Sequence, residues 1–346
     1  MKNLSCPVPI STYDKVLLAH GGGGKLTHQL IQNTFLPILD NELLRQQHDG
    51  TEFQVNGNRL VMSTDSFVVQ PIFFPGGDIG ELAVNGTVND LACCGAKPLY
   101  LSVGLIIEEG LPMADLERIM LSMKKAADKA GVQIITGDTK VVEKGKGDQI
   151  FINTTGIGII ERPVHLHPDQ VKAGDVVLIN GTIADHGICI LSSRAGLEFE
   201  TTIESDTQPL YELINDILEV CPETRVIRDP TRGGLASTLN EIAETSGLCI
   251  ELDEENIPIQ EEVRGACELL GLDPLYVANE GKILVIVPAE SAEKVLMAMK
   301  KNAAGKDSAL IGKVKSSPAS TLLIKTTIGS SRIVDMISGE QLPRIC

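Results

Sequence analysis

The sequence contains no tryptophan, and aromatic residues make up only 3% of its 346 residues. So few aromatic rings leave few surfaces on which nucleic acid bases can stack. The net charge of −16 also opposes binding to nucleic acid or to an anionic membrane surface. We therefore expect no nucleic acid partner and no membrane partner, and we expect any bound nucleotide to be held mainly by polar side chains and backbone groups.

The eight cysteines include no C-x-x-C pair and no Cys/His spacing typical of zinc sites. No apolar run approaches the length of a membrane span, and the first seven residues lack the apolar stretch of a signal peptide. We therefore expect reduced thiols and a cytoplasmic protein. For Cys93 and Cys189 we expect a packing role only.

The chain is longer than a single hydrophobic core usually serves, so its length predicts two domains. Strand-like and helical patterns alternate in both halves, which indicates a mixed α and β protein, classed here as α+β. A connection follows the long apolar run Ile150 to Ile160. We place one domain at residues 1–163, a second at 164–336, and a tail at 337–346.

A glycine loop follows a strand candidate at Val16 to Ala19 and precedes a helical pattern. Its residues are His20, Gly21, Gly22, Gly23, Gly24 and Lys25. Glycines allow backbone N–H groups to approach an anion closely, and a lysine adds positive charge. The Walker pattern fails, because it requires Gly at Ala19 and Ser or Thr at Leu26. The loop alone leaves a flexible turn and a phosphate site both open.

Three aspartates in the first half are candidate metal ligands. Asp65 follows a predicted strand, Asp138 follows another, and Asp90 stands beside Asn89 inside a largely apolar helix that begins near Gly80. A single aspartate at a strand end is usually a turn or helix cap. Three of them favour Mg²⁺, which takes oxygen ligands. The pair Asn89-Asp90 can be either a hydrogen-bonded core feature or part of a site.

The second half carries two further candidates. The segment Asp229 to Gly234 is polar and rich in glycine, as expected of a loop that meets a ligand or the other domain. Glu280 precedes a predicted buried strand at Ile283 to Val287. At the chain end, Cys346 follows Pro343, and an extended segment from about Ile337 could span roughly 30 Å. This thiol is either an incidental feature of a frayed end or a group presented for chemistry.

Together these motifs resemble the HypE family of hydrogenase maturation proteins, which belongs to the superfamily of aminoimidazole ribonucleotide synthetase, selenophosphate synthetase and thiamine-phosphate kinase. The terminal Pro-Arg-Ile-Cys distinguishes this family within the superfamily. The resemblance is carried by His20 to Lys25, Thr64 to Ser66, Val88 to Ala92, Thr136 to Val142, Asp229 to Gly234, Ala278 to Lys282 and Pro343 to Cys346.

The resemblance implies a homodimer whose amino-terminal domains form a joint β-barrel, with ATP bound nearby and a ferredoxin-like carboxy-terminal domain in each subunit. It also implies a reaction. The carbamoyltransferase HypF would load a carbamoyl group onto Cys346, and ATP would drive dehydration of this thiocarbamate to a thiocyanate. The cyano group would then pass to iron on the HypC–HypD complex and become a cyanide ligand of [NiFe] hydrogenase.

The same resemblance implies residue roles. Cys346 would be the acceptor, Glu280 the base that removes protons from nitrogen, and Lys140 a polarising cation. Asp65, Asp90 and Asp138 would hold Mg²⁺ on the ATP phosphates, and the nucleotide would contact His20 to Lys25, Asn89 and Asp138.

Two alternatives remain. One is another ATP-dependent member of the superfamily that acts on a small molecule; a selenophosphate synthetase, however, would carry a cysteine in or beside the glycine loop, and Cys6 lies well outside it. The other is a thiol carrier without catalysis, which would have no need of Asp138, Lys140 and Glu280.

Overall fold

A computed structural model describes residues 13–195 and 203–337 of the chain. Within these ranges the protein is mixed α and β and contains two large sheets, one in each half, as the alternating patterns predict. No helix in the described part combines the length and apolar character that a bilayer crossing requires. The predicted acceptor Cys346 and the rest of the tail after Ile337 lie outside the described residues.

The first described element corrects a prediction. Residues Leu18–Gly21 form a 3₁₀-helix, so the strand expected at Val16 to Ala19 is wrong. The Nδ1 atom of His20 accepts a hydrogen bond from the backbone N–H of Leu17 at 2.9 Å, which closes a local turn in place of pairing with a strand. After the glycine loop come α1 (Lys25–Leu30), a π-helical turn (Ile31–Phe35) and α2 (Leu36–Leu39).

The first half is built on a five-stranded sheet. Its elements in chain order are β1 (Thr51–Val55), β2 (Asn58–Phe67), the short pair β3 (Phe73–Phe74) and β4 (Gly77–Asp78), α3 (Ile79–Cys93), β5 (Lys97–Glu108), α4 (Met113–Ala130), β6 (Gln133–Val142) and β7 (Ile150–Ile160). The sheet order is β1-β2-β7-β5-β6, with β5 and β6 parallel and the other neighbours antiparallel. Strand β6 is therefore an edge strand.

The second half carries a seven-stranded sheet. In chain order it comprises β8 (Val176–Ile179), α5 (Asp185–Ala195), α6 (Tyr211–Val220), β9 (Val226–Arg228), α7 (Gly234–Ser246), β10 (Cys249–Asp253), α8 (Glu261–Leu270), β11 (Leu284–Val287), α9 (Ala292–Lys301), β12 (Ala309–Lys315), β13 (Thr321–Lys325) and β14 (Ser331–Ile333). The order is β14-β13-β10-β12-β8-β11-β9. Strands β8 and β11 are interior strands of this sheet and are almost wholly buried apolar runs.

Helix α3 packs against elements of both halves. The side chain of Asp78 caps its amino end by accepting hydrogen bonds from the N–H groups of Gly80 and Glu81, and nearly every residue of the helix is buried. A helix that is apolar on most sides must be covered on most sides. One side of α3 packs against β2 and β7, and another contacts α6 and β9 of the second half.

Two predicted strand ends are wrong. Asp65 and Asp138 lie inside β2 and β6, because both strands continue past the residues at which the apolar patterns stop. In β2 the ladder with β7 runs unbroken to Phe67, so Asp65 pairs with Thr154 in the middle of a strand. Since side chains alternate between the two faces of a strand, polar residues there need not end it.

Candidate functional site

Four carboxylates converge where α3 meets the two sheets. Asp90 lies on α3, Asp65 on β2, Asp49 just before β1, and Asp229 directly after β9. Burial raises the pKa of Asp90 well above its usual range, and the charges of Asp229, Asp65 and Asp49 raise it further. Because these groups repel each other through a buried environment, the cluster favours binding of a positive charge.

Two arginines offset part of this charge. Arg228 Nε lies 2.5 Å from Asp49 Oδ1, yet burial still raises the pKa of Asp49 to about 6. Burial also raises the pKa of Asp229 well above its usual range, with the charge of Asp49 adding to the effect. Burial raises the pKa of Asp65 as well, and Arg232, 3.6 Å away, acts against this shift. The carboxylates outweigh the two guanidinium groups.

The donor set at the centre of the cluster fits a divalent cation. One ligand atom each from Asp49, Cys93 and Asp229 lies within 4.8 Å of the other two. Carboxylate oxygens are the ligands that Mg²⁺ prefers. Of these three residues the sequence drew attention only to Asp229, through its polar loop. Asp49 gives no sequence signal beyond an acidic residue before a glycine, and for Cys93 the sequence predicts only a packing role.

The structure brings Asp65 and Asp90 close together, but Asp138 of the same chain lies away from both. The backbone register aligns Asp138 on β6 with Gly104, Asn153 and Ser66 across the sheet, on the face opposite α3. Three strand spacings, roughly 14 Å, separate β6 from β2. Asp138 and Lys140 are exposed and pair with each other, with Lys140 Nζ 2.7 and 2.5 Å from the two carboxylate oxygens.

Glu280 lies beside the carboxylate cluster and is 3% exposed. Its N–H donates a hydrogen bond to Asp206 Oδ1 at 3.2 Å. Burial raises the pKa of Glu280 well above its usual range, and the charges of Asp206, Asp65 and Asp229 add to this shift while Arg232 opposes it. These surroundings therefore favour the protonated, neutral form of Glu280.

The amide of Asn89 joins α3 to two segments of the second half. Its Nδ2 donates to the carbonyl oxygens of Gln208 at 3.0 Å and Glu280 at 3.4 Å, and its Oδ1 accepts from the N–H of Leu210 at 2.8 Å. Asn89 thus has the contacts of a hydrogen-bonded core residue, whereas its neighbour Asp90 belongs to the carboxylate cluster. A nucleotide contact for Asn89 stays a prediction.

The glycine loop packs against the loop that follows β9. Gly23 has φ +73°, and a Cβ atom there would lie 2.7 Å from Arg232 Cβ. A Cβ atom on Gly24 would lie 2.4 Å from Ile337 Cγ2, and the N–H of Lys25 donates to the carbonyl of Ile337 at 2.9 Å. Through Arg232 and Asp65 the loop therefore reaches the carboxylate cluster, and it also holds the last described residue of the chain.

Two family models cover most of the chain. The amino-terminal domain of AIR synthase related proteins matches residues 47–160, and the carboxy-terminal domain matches residues 172–325. Carbamoyl dehydratase HypE of Azotobacter vinelandii is 54% identical over 331 residues, which is 96% of this chain and 97% of that protein. Carbamoyl dehydratase HypE of Escherichia coli K12 is 44% identical over 338 residues, covering 96% and 100%.

Solved structures agree with these matches. A crystal structure of HypE in complex with ATP has a TM-score of 0.81 and 49% identity, and the match covers 96% of this chain and 100% of that one. A crystal structure of a HypE–HypF complex has a TM-score of 0.85 and 49% identity, covering 89% and 99%. Both halves of the fold are therefore those of AIR synthase related proteins.

Proposed function

The chain belongs to the HypE family of carbamoyl dehydratases, and we propose that it uses ATP to dehydrate a carbamoyl group carried on Cys346, producing a thiocyanate for the cyanide ligand of [NiFe] hydrogenase. The observation that carries the proposal is the convergence of the carboxylates Asp65, Asp90 and Glu280 in a chain of this family, with Glu280 buried and the other two partly buried. Carboxylates in this arrangement can hold the cation that neutralises the phosphates of ATP, and one of them can accept a proton.

The reaction must remove oxygen from an –S–C(=O)–NH₂ group, and oxide is a very poor leaving group. Transfer of the γ-phosphoryl group of ATP to that oxygen converts it to phosphate, which leaves with the electron pair of the C–O bond. Two protons are lost from nitrogen as the C≡N bond forms. The products are the –S–C≡N group, ADP and phosphate, so the balance is the loss of one water from the carbamoyl group.

Glu280 is the proposed base. Only its ionised form can accept a proton, and burial together with the surrounding carboxylates raises the pKa of Glu280 and so opposes ionisation. Positive charge added at the cluster would lower the pKa of Glu280, because a nearby cation favours the ionised carboxylate. Asp65 and Asp90, with Asp49 and Asp229 nearby, would hold Mg²⁺, which would supply this positive charge and neutralise the phosphates of ATP.

Asp138 and Lys140 would enter the site from a second copy of the chain. Support comes from the five-stranded sheet. On its face away from α3, the side chains of Met62, Tyr100 and Ile157 are partly exposed. Its edge strand β6 is exposed along nearly its whole length. An exposed edge and an apolar face are features that a partner subunit covers. In this homodimer the two sheets form the joint β-barrel, and Lys140 of the partner subunit stabilises charge on the reacting group.

Two loops complete the proposed assignment. His20, the four glycines and Lys25 close over the ATP phosphates, with Asp138 and Asn89 as further contacts. The chain leaves its described part at Ile337, which contacts Gly24, and the nine residues that follow could extend roughly 30 Å. This length allows Cys346 to be delivered to the site from beside the glycine loop.

The remaining architecture and partners belong to the same proposal. Residues 1–163 would form the ATP-binding and dimerisation domain, 164–336 the ferredoxin-like carboxy-terminal domain, and 337–346 the tail. HypF is proposed as the carbamoyl donor because a structural relative is described as a HypE–HypF complex. The HypC–HypD complex is proposed as the acceptor of the cyano group.

Intact-mass measurement tests the function. Protein carbamoylated by HypF should lose the mass of one water when both ATP and Mg²⁺ are added, and it should keep its mass when either is left out. Retention of the carbamoyl mass with both present would reject the dehydratase. ATP consumption with a free small molecule, without any change in protein mass, would favour the alternative superfamily enzyme.

A further inference from the structure

The backbone of the proposed base Glu280 is held by two side chains. Its N–H donates to Asp206 Oδ1 at 3.2 Å, and its carbonyl oxygen accepts a hydrogen bond from Asn89 Nδ2 at 3.4 Å. A hydrogen bond to a carboxylate is stronger than one between two neutral groups. Asp206 therefore provides the stronger of these two contacts with the backbone of the base.

The residue after Glu280 packs against the same segment. A Cβ atom on Gly281 would lie 1.8 Å from the backbone carbonyl oxygen of Asp206, so no side chain fits there unless the backbone moves. The carbonyl oxygen of Gly281 accepts hydrogen bonds from Asn180 Nδ2 at 3.1 Å and Gln208 Nε2 at 3.2 Å. The loop that presents Glu280 thus lies directly on the segment that contains Asp206, and its position depends on that segment.

The segment around Asp206 is itself fixed to the first half of the chain. Residues 203–210 have no regular secondary structure. The N–H of Ser205 donates to the carbonyl oxygen of Pro75 at 2.9 Å, and Thr207 Oγ1 accepts a hydrogen bond from Asn85 Nδ2 of α3 at 3.2 Å. These contacts on either side of Asp206 restrict the movement of its backbone.

A buried lysine holds the carboxylate of Asp206. Lys282 Nζ lies 3.6 Å from Oδ2 of Asp206 and 3.6 Å from Oδ2 of Asp185, and the two aspartate side chains are each only 3% exposed. A buried charge is costly unless an opposite charge lies close to it. Because the two aspartates share one lysine, loss of either leaves Lys282 with one carboxylate partner. Only Asp206 of this pair accepts the N–H of Glu280.

We propose that Asp206, held by Lys282, is a positioning residue that fixes the proposed base Glu280 for proton transfer. This role depends on the dehydratase function proposed above. A base must lie within about 2.6–3.2 Å of the group whose proton it removes, so a small displacement of the loop would slow the reaction. Asp206 exchanges no proton with the substrate and acts only through the backbone of Glu280.

Two matched alanine variants test the role. Asp206→Ala and Asp185→Ala each remove one carboxylate from Lys282, and only the first removes the acceptor for Glu280. Thiocyanate formation is measured on full-length proteins carbamoylated by HypF. We expect Asp206→Ala to slow dehydration by about tenfold or more at unchanged ATP affinity, and Asp185→Ala to stay within about twofold of wild type. Asp206→Asn keeps an oxygen acceptor and should restore most of the rate.

Hydrogen exchange tests the same contact without ATP turnover. Amide exchange in a peptide that contains Glu280 should be about tenfold faster in Asp206→Ala and unchanged in Asp185→Ala. If wild type does not dehydrate but this difference is present, the dehydratase function fails and the contact stands. Wild-type exchange in Asp206→Ala would reject the contact.

Other results overturn the positioning role. Equal losses of rate in the two alanine variants would show a general loss of packing, and weaker ATP binding in Asp206→Ala would show a role in nucleotide binding instead. A normal rate in Asp206→Ala would show that Glu280 needs no such support. In case Asp206→Ala does not fold, Asp206→Glu decides, because it keeps the charge beside Lys282 but displaces the acceptor. Wild-type rate and exchange in Asp206→Glu would also reject the role.

Discussion

Ser63 Oγ donates a 2.6 Å hydrogen bond to Asp90 Oδ2, linking β2 to α3 at the carboxylate cluster. This bond favours the ionised form of Asp90, but burial and three neighbouring carboxylates outweigh it and raise the pKa of Asp90. Protons bound to the cluster in the folded chain therefore reduce the repulsion among its carboxylates, as a bound cation would. Stability should accordingly depend on both pH and divalent cations.

Asp90→Asn should flatten the pH dependence of stability in chelator-treated protein. Above the pKa of an unfolded aspartate, about 3.9, the folded chain holds a proton that the unfolded chain has released, so the free energy of unfolding falls as pH rises. Asparagine has no such linkage and still accepts a hydrogen bond from Ser63. Urea unfolding between about pH 5 and pH 8 measures the effect. Parallel curves for variant and wild type would contradict this account, as would equal stabilisation of both by Mg²⁺.

Dimers that combine two inactive variants should recover activity. Asp65→Asn and Asp138→Asn should each abolish ATP turnover while the chain remains folded, because each loses a ligand charge with little change in volume. If Asp138 acts in the partner's site, co-expression in equal amounts should give about one quarter of wild-type activity, since half the dimers contain one intact site. Mixed dimers without activity would mean that one chain supplies both residues to a site, and full activity of Asp138→Asn alone would remove Asp138 from the mechanism.

Glu280→Gln should separate binding from chemistry. Glutamine keeps the shape and the backbone hydrogen bond to Asp206, but it cannot act as a base, so dehydration should slow by about 10²-fold or more while ATP still binds. Thiocyanate formation from carbamoylated protein gives the rate, and equilibrium dialysis gives the nucleotide affinity. Glu290→Gln, at an exposed position, is the control. A normal rate in Glu280→Gln would mean that another group takes the proton.

Sequence patterns locate part of this site and miss the rest for identifiable reasons. Asp65 and Asp90 stand out because polar residues interrupt apolar patterns, and Asp229 lies in a conspicuously polar loop. Asp49 has no such contrast with its surroundings. Cys93 follows apolar residues on a helix, which predicts only packing. The position of its thiol beside two carboxylates depends on how α3 packs against the second half, and the sequence does not show this.

Strand order explains the remaining difference. Asp138 follows an apolar run just as Asp65 does, and nothing local reveals that β7 and β5 lie between their strands or that the two side chains take opposite faces. These relationships depend on long-range pairing. The helices α3, α4 and α7, in contrast, were predictable from periodicity and terminal glycines, and they are confirmed.

Gly24→Ala should disturb the contact between the glycine loop and the end of the described chain. A Cβ atom there would lie 2.4 Å from Ile337 Cγ2 and 2.5 Å from its carbonyl oxygen, so we expect a loss of about 1–3 kcal/mol of stability or displacement of Ile337. Gly21→Ala is the matched control, because its Cβ would meet no atom within 4 Å, and it should change stability by less than about 0.5 kcal/mol. Urea unfolding measures the free energy of unfolding of both variants. Equal values would show that Ile337 moves aside without loss of stability.

Deletion of Pro343 to Cys346 should abolish function and leave stability nearly unchanged. Residues at the ends of a chain usually contribute little packing, so we expect the melting temperature and ATP affinity to match those of wild type. Cys346→Ala should behave in the same way and should accept no carbamoyl group from HypF, because the acceptor thiol is gone. Cys189→Ala is the control for thiol loss, since Cys189 is buried, its Sγ donates to the carbonyl oxygen of Pro75, and burial raises its pKa to about 12. If Cys346→Ala still gained a carbamoyl group and then lost a water mass, the acceptor would be another thiol and the proposed role of the tail would fail.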